Sequence, residues 1–220
     1  MSKEKLASFI DHTQLRPNTT AIDIEQLCSE AVEHQFYAVC VNSSWLPLAA
    51  SYLKGSPVKL AATAGFPLGA CSTKVKAYET EYALAQGADE IDFVLNMGWL
   101  KQGKHKEVLH EFRELRKTAP NAVLKVILET CLLNDDEKRA ACEMALEAKL
   151  DFVKTSTGFS TAGATLEDVK LMKSIVHDQA QVKASGGIRD AKTAQAFIQA
   201  GASRLGTSSG VAIVLAESFV

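Results

Sequence analysis

The chain has 220 residues, 47% hydrophobic and 23% charged, with a formal net charge of −2. This is the composition of an ordinary soluble globular protein, long enough for one domain that buries roughly 70% of its unfolded surface. The near-neutral charge argues against nucleic acid or an acidic membrane surface as partner, and no apolar run approaches membrane-spanning length.

Nothing at the start of the sequence reads as a signal peptide, and no Pro- or Ser-rich linker divides it, so a single domain over 1–220 is expected. Five cysteines (Cys28, Cys40, Cys71, Cys131, Cys142) lack metal-type spacing and point to reduced thiols in a cytoplasmic setting. In chain order, the predicted strands are "FIDHT" (9–13), "FYAVCVN" (36–42), "VKLAATAGF" (58–66), "EIDFVLN" (90–96), "AVLKVILET" (122–130), "DFVKTST" (151–157), "VKASGG" (182–187) and "RLGTSSG" (204–210). Between them lie helix-like segments, among them 71–86, 104–118, 134–149, 165–178 and 190–200. Gly87 and Gly201 stand where C-terminal caps belong, and Asp135 and Thr165 sit near helix starts.

Eight strand–helix units in one domain predict an α/β fold of the (β/α)8 TIM barrel type. An open doubly wound sheet is the alternative, but its strands should be near-continuously apolar. These strands instead place polar residues at alternating positions: Asp92 with Asn96, Lys125 with Glu129, Lys154 with Ser156, Lys183 with Ser185. Strand side chains alternate between faces, so each pair points the same way, while Ile91, Phe93, Val153, Thr155 and Val182 point the other. One apolar face against helices and one polar face lining an interior is what a catalytic barrel needs.

Lys154 and Lys183 fall on the sixth and seventh strands, predicted neighbours, and their inward parity aims both amines and the Asp92 carboxylate at one cavity. A free lysine has a pKa near 10.4, so roughly one in two thousand is a neutral amine at pH 7. Burial and a second cation both disfavour the ammonium and lower that pKa. A neutral amine can attack a carbonyl, and the resulting iminium is an electron sink for making or breaking a C–C bond. A buried Lys–Asp pair that only braces the barrel is the competing explanation. Two adjacent lysines with inward acids (Asp11, Asp92, Glu129) favour catalysis over it. His12 and His34 read as surface or helix-packing residues.

The loops after strands six, seven and eight, "STGFS", "SGGIR" and "GTSSG", lie at the barrel face where phosphate groups commonly bind. Gly158, Gly186 and Gly187 let backbone N–H groups approach an anion, and Ser208 and Ser209 add hydroxyls before a terminal helix. No Walker-type, GxGxxG or metal-ligand pattern occurs, so neither metal nor cofactor is expected. A Schiff-base aldolase for some phosphosugar, a phosphosugar isomerase or epimerase, and a non-catalytic phosphate-binding barrel all remain open from these residues alone.

The motifs "DFVKTSTGF", "VKASGGIR", "GADEID", "IDHT", "CVN" and "GTSSG" resemble, in order and spacing from about residue 8 to 210, those of the deoxyribose-phosphate aldolases. The resemblance implies a metal-free class I aldolase that interconverts 2-deoxy-D-ribose 5-phosphate with acetaldehyde and D-glyceraldehyde 3-phosphate in deoxyribonucleoside catabolism. By position, it makes Lys154 the Schiff-base nucleophile, Lys183 the neighbouring cation and Asp92 an acid–base group working through a water. It gives Asp11, Cys40 and Lys125 a supporting role in the polar network and places phosphate at Gly158, Gly186, Gly187, Ser208 and Ser209. It also favours a homodimer.

Two departures from the family pattern stand out. Phe159 occupies a position where some members carry a lysine, so one positive charge beside the phosphate is missing. Some members also end in a tail with a terminal tyrosine that assists proton transfer. This sequence ends "AESFV" with no tyrosine after Tyr82, which sends that proton through water or another group.

Overall fold

The computed structural model describes residues 3–216; the segment 217–220, where the tail expectation falls, lies outside them. Eight parallel strands run β1 (Ile10–Gln14), β2 (Ala38–Val41), β3 (Lys59–Ala64), β4 (Glu90–Val94), β5 (Val123–Ile127), β6 (Phe152–Lys154), β7 (Gln181–Ser185) and β8 (Arg204–Thr207). Each pairs with the next in sequence and β8 closes on β1. The predicted (β/α)8 TIM barrel is the observed fold.

Outside it lie α1 (Lys3–Ala7), α2 (Ala21–Glu33), α3 (Leu46–Leu53), α4 (Thr73–Ala85), α5 (Met97–Lys101), α6 (His105–Thr118), α7 (Asp135–Glu147), α8 (Leu166–Val176), α9 (Ala191–Gln199) and α10 (Gly210–Ala216). Local chemistry fixes their ends. Asn134 and Glu137 form a capping box at α7, Thr165 accepts the Asp168 N–H at α8, and Asp190 accepts the Thr193 N–H at α9. Gly87 and Gly201 donate back to Leu84 and Ile198 at the C-termini of α4 and α9.

The outward strand faces (Ile10, Val39, Val41, Ile91, Phe93, Leu124, Val126, Val153, Val182, Leu205) pack on apolar helix faces such as Val108, Phe112 and Leu115 of α6. This layer between sheet and helices is the main hydrophobic core, leaving the inward face free for polar residues. His12, on the outward parity of β1, is buried rather than on the surface. Its Nε2 sits 2.7 Å from Glu30 and its ring 5.0 Å from Phe36, so it packs α2 onto the barrel.

Strand ends depart from the predicted ranges where side chains compete for backbone bonds. β6 stops at Lys154 because the Thr155 hydroxyl accepts the Ser185 N–H at 3.0 Å and donates to the Ser185 carbonyl at 3.2 Å. Asn96, expected to share the inward face of Asp92, lies beyond the end of β4 and caps α5 by accepting the Trp99 N–H.

A second charged pair braces the C-terminal rim. Lys76 of α4 and Glu111 of α6 are fully buried and 2.8 Å apart, Glu111 also accepts the Asn96 N–H, and the Lys76 stem packs on Gly65. Glu111→Ala would leave a buried ammonium alone. A loss of about 3–5 kcal/mol is expected, read as a lower urea midpoint. The double variant Lys76→Met/Glu111→Leu should recover most of it, and equal losses in both would contradict the pairing.

Candidate active site

The barrel interior holds a closed ring of alternating charges. Lys154 ends β6, with Lys183 of β7 as its register partner, and Lys183 in turn pairs with Arg204, the first residue of β8. Asp92 of β4 lies at the centre: its Oδ2 is 2.8 Å from both Lys154 Nζ and Lys183 Nζ, and its Oδ1 is 2.7 Å from Lys125 Nζ. Lys183 also contacts Asp11 of β1, and Asp11 contacts Arg204. Arg204 continues to Glu90 at 2.7 Å, and Glu90 returns to Lys125 at 2.5 Å.

The ring thus runs Asp92, Lys183, Asp11, Arg204, Glu90, Lys125 and back to Asp92, three carboxylates alternating with three cations. Lys154 hangs from it through Asp92 alone. None of these side chains is more than 5% exposed. At the base, the Tyr37 ring lies 3.3 Å from the Arg204 guanidinium and the Phe152 ring 5.5 Å from it.

Lys154 differs from Lys125 and Lys183 in the direction of its pKa shift. Burial lowers its pKa below the ordinary lysine value; Asp92 opposes this, and Lys183 adds to the depression. Lys183 and Lys125 are also desolvated, but their carboxylate partners outweigh that cost and both stay raised. Asp92, despite burial, is held well below the usual carboxylate range by Lys125, Lys154 and Lys183. Cys40 of β2 is fully buried in the interior beside Leu15 and Ala61, and burial reinforced by the Asp92 charge pushes its pKa up, so it stays a thiol.

Above the ring, a cavity of about 320 Å³ opens at the C-terminal mouth. Of the seven charged groups, Lys154 lines it. So do Gly158, Gly186, Gly187, Ser208 and Ser209, together with Thr13, Phe159, Arg16 and Arg189. All five residues expected at the phosphate therefore surround one space with Lys154. The loops after β6 and β7 touch backbone to backbone: Ala164 N–H reaches the carbonyls of Ser185 and Gly186 at 3.1 Å. A Cβ on Gly163 would lie 2.2 Å from the Gly186 oxygen, and Gly186 itself has φ +86°, so side chains are excluded at both positions.

Several residues behave differently from the sequence expectation. Glu129 does not join the lysines. It lies two residues past β5 with φ +57°, where strand alternation no longer applies, and its carboxylate accepts the Thr157 N–H at 3.3 Å and the Thr157 hydroxyl. It thereby fixes the loop that carries Gly158. Glu90 and Arg204 were missed, although "EID" places Glu90 on the Asp92 parity and "RLG" opens the eighth strand with a charge. The positive charge missing at Phe159 has counterparts in Arg16 and Arg189. Phe159 instead packs edge-on against Phe66, with ring centroids 5.4 Å apart.

The closed parallel barrel carries, at the C-terminal mouth where barrel enzymes do their chemistry, a cavity lined by one interior lysine whose pKa is lowered, an arrangement suited to a lyase. The profile of "DeoC/LacD family aldolase" matches residues 5–216. The chain belongs to that family. A deoxyribose-phosphate aldolase from Carboxydothermus hydrogenoformans is 54% identical over 218 residues, covering 97% of this chain and 96% of the relative. One from Natranaerobius thermophilus is 52% identical and covers 99% and 100%. A solved structure described as a unique tetrameric deoxyribose phosphate aldolase from Aeropyrum pernix superposes with a TM-score of 0.93 at 34% identity, covering 99% of this chain and 93% of its own.

Proposed function

We propose that this aldolase cleaves 2-deoxy-D-ribose 5-phosphate reversibly to acetaldehyde and D-glyceraldehyde 3-phosphate through an imine on Lys154. The observation that carries the reading is that the one interior lysine with a depressed pKa lines the same cavity as the glycine and serine loops. The neutral Lys154 amine attacks the C1 aldehyde of the open-chain sugar, and loss of water leaves an iminium. The electrons of the C2–C3 bond flow into the iminium as an enamine while the C3 hydroxyl gives up its proton and becomes the aldehyde of the released triose. Protonation of the enamine at C2 and hydrolysis of the iminium then free acetaldehyde and the amine.

Asp92, the third member of the proposed catalytic set, moves these protons through an intervening water. With three cations around it, it is a weak base. The iminium on Lys154 keeps the third cation until the C2–C3 electrons turn it into a neutral enamine, so the basicity of Asp92 rises as the bond breaks. Lys183 remains a cation that disfavours protonation of Lys154. Asp11, Lys125 and Cys40 support the network, the first two by holding the other lysine and Asp92 in place.

The phosphate sits at the N–H groups of Gly158, Gly186 and Gly187 and the hydroxyls of Ser208 and Ser209, with Arg16 and Arg189 adding charge at the rim. Incubation with deoxyribose 5-phosphate in excess chelator tests this directly. Equal amounts of acetaldehyde and triose phosphate are expected, at a rate the chelator leaves unchanged. No cleavage of this sugar alongside turnover of another phosphosugar would contradict the substrate, and loss of turnover on chelation would contradict the mechanism.

Phe159→Lys probes the phosphate placement. A lysine there adds a charge-assisted contact in a partly solvated loop, worth on the order of 1 kcal/mol or several-fold in affinity. KM for deoxyribose 5-phosphate should fall, unphosphorylated deoxyribose should change little, and the gain should shrink with added salt. If the contact with Phe66 matters more, turnover drops equally on both sugars and the phosphate does not sit beside this loop.

The reading places the protein in the cytoplasm, in deoxyribonucleoside catabolism, acting on small phosphosugars and aldehydes rather than on nucleic acid or membranes, as one domain that pairs into a homodimer. Light scattering decides the last point, and a tetramer, as described for the Aeropyrum relative, is the contrary result. Among the described residues no helix is long and apolar enough to cross a membrane.

A further inference from the structure

The seven interior charges do not balance. Lys125, Lys154, Lys183 and Arg204 face Asp11, Glu90 and Asp92, four cations against three carboxylates. The six-membered ring is neutral when closed, and each of its members touches two ring partners of opposite sign. Lys154 is the remainder: it touches one carboxylate, on an oxygen it shares with Lys183. A low-dielectric interior strongly disfavours net charge, so the cheapest proton to lose belongs to the cation outside the ring. Arg204 cannot lose one, because guanidinium stays protonated throughout the working pH range.

We propose that Arg204 and Glu90, which contact neither Lys154 nor the cavity at the C-terminal mouth, are positioning residues that set the charge state of Lys154 by closing this ring. Arg204 supplies the third ring cation, which leaves Asp11 and Glu90 without free capacity and makes Lys154 the surplus. Glu90 supplies the third carboxylate, which limits that surplus to one charge. The other groups facing Lys154 are already counted or neutral: Cys40 from β2 is a buried thiol, and β3 offers Thr63 and the non-titrating Ala61. Glu129 beyond β5 is engaged by Thr157, and Arg16 and Arg189 stand at the rim. At the base the faces of Tyr37 and Phe152 lie against the Arg204 guanidinium, which is itself buried.

The consequence for catalysis rests on the imine reading; the charge state of Lys154 itself does not. The two substitutions should act in opposite directions. Arg204→Met leaves three cations and three carboxylates if Lys154 stays protonated, so Lys154 should hold its proton more tightly. Glu90→Gln leaves four cations against two carboxylates, so Lys154 should release its proton more readily. The double variant restores a surplus of one.

Lys154 can be titrated without turnover by NMR of the full chain carrying 13C at lysine Cε, with its resonance assigned from its absence in Lys154→Met. The midpoint should rise by about one pH unit or more in Arg204→Met, fall by a similar amount in Glu90→Gln, and return to near the parent value in the double variant. Arg204→Lys, which keeps the charge and loses only the fork, should stay close to the parent. A merely structural ring would move both single variants the same way or neither, and either result overturns the proposal. If Arg204→Met does not fold, Glu90→Gln decides: a downward shift supports the ring, and an unmoved or raised midpoint rejects it. Failure of the parent to form an imine would leave these titration shifts standing and would count against the proposed chemistry instead.

Discussion

Lys154→Ala should abolish retro-aldol cleavage in a protein that folds like the parent. The reason is chemical. Cleaving the C2–C3 bond of a 2-deoxyaldose places two electrons on C2, and a protonated imine is a far better acceptor for them than the free aldehyde. Among the described residues, no other interior lysine reaches the cavity, and the other two interior lysines are held charged by their carboxylates. A loss beyond about a thousandfold, equal to about 4 kcal/mol of barrier, is the expected scale.

Alanine also removes one of the cations around Asp92, so the folded state should tolerate it. Lys154→Arg should be just as inactive while keeping the Asp92 contact, because guanidinium is not a usable nucleophile. Appreciable cleavage by either well-folded variant would remove Lys154 from the mechanism.

Lys183→Leu should slow turnover at neutral pH by orders of magnitude and recover part of it in alkali. Lys183 acts on Lys154 twice: it repels the ammonium form, and it occupies the Asp92 oxygen that would otherwise belong to Lys154. Leucine fills the space but removes both effects, so Asp92 turns to Lys154 and stabilises its charged form. Burial still acts on Lys154, so its pKa should rise only partway to the free value. Each unit of that rise costs about tenfold in the neutral amine at pH 7. The deficit should therefore narrow as pH climbs. A constant ratio of variant to parent rate from about pH 7 to about pH 9.5 would assign Lys183 another task, such as direct proton transfer.

Much of this arrangement is legible in the sequence. Strand side chains alternate with a strict period of two, so the positions of Asp92, Lys125, Lys154 and Lys183 within four apolar strands already send all four inward once the barrel is inferred. The glycine loops announce themselves by composition. What alternation could not supply lies where strands end or where partners come from opposite sides of the barrel. Glu129 and Asn96 keep the right spacing but fall beyond the ends of β5 and β4, where a left-handed residue and a helix cap redirect them.

Arg204 and Glu90 carry the right parity, yet nothing in a one-dimensional pattern says that β8 and β4, across the barrel from each other, meet directly, Arg204 on Glu90, with Asp11 and Lys125 on either side. Nor could the sequence show that Phe159 packs on Phe66 while Arg16, from a distant loop, faces the same cavity. Those are facts of closure rather than of local pattern.

Reduction with borohydride in the presence of acetaldehyde tests the chemistry at its source. Neutral Lys154 should capture acetaldehyde as an imine, and reduction should fix it as a secondary amine. Activity should be lost irreversibly, and one peptide should gain the mass of a single ethyl group on Lys154, with Lys125 and Lys183 unmodified. Full activity after this treatment, or an adduct that maps to a lysine outside the barrel interior, would contradict an aldolase built on Lys154.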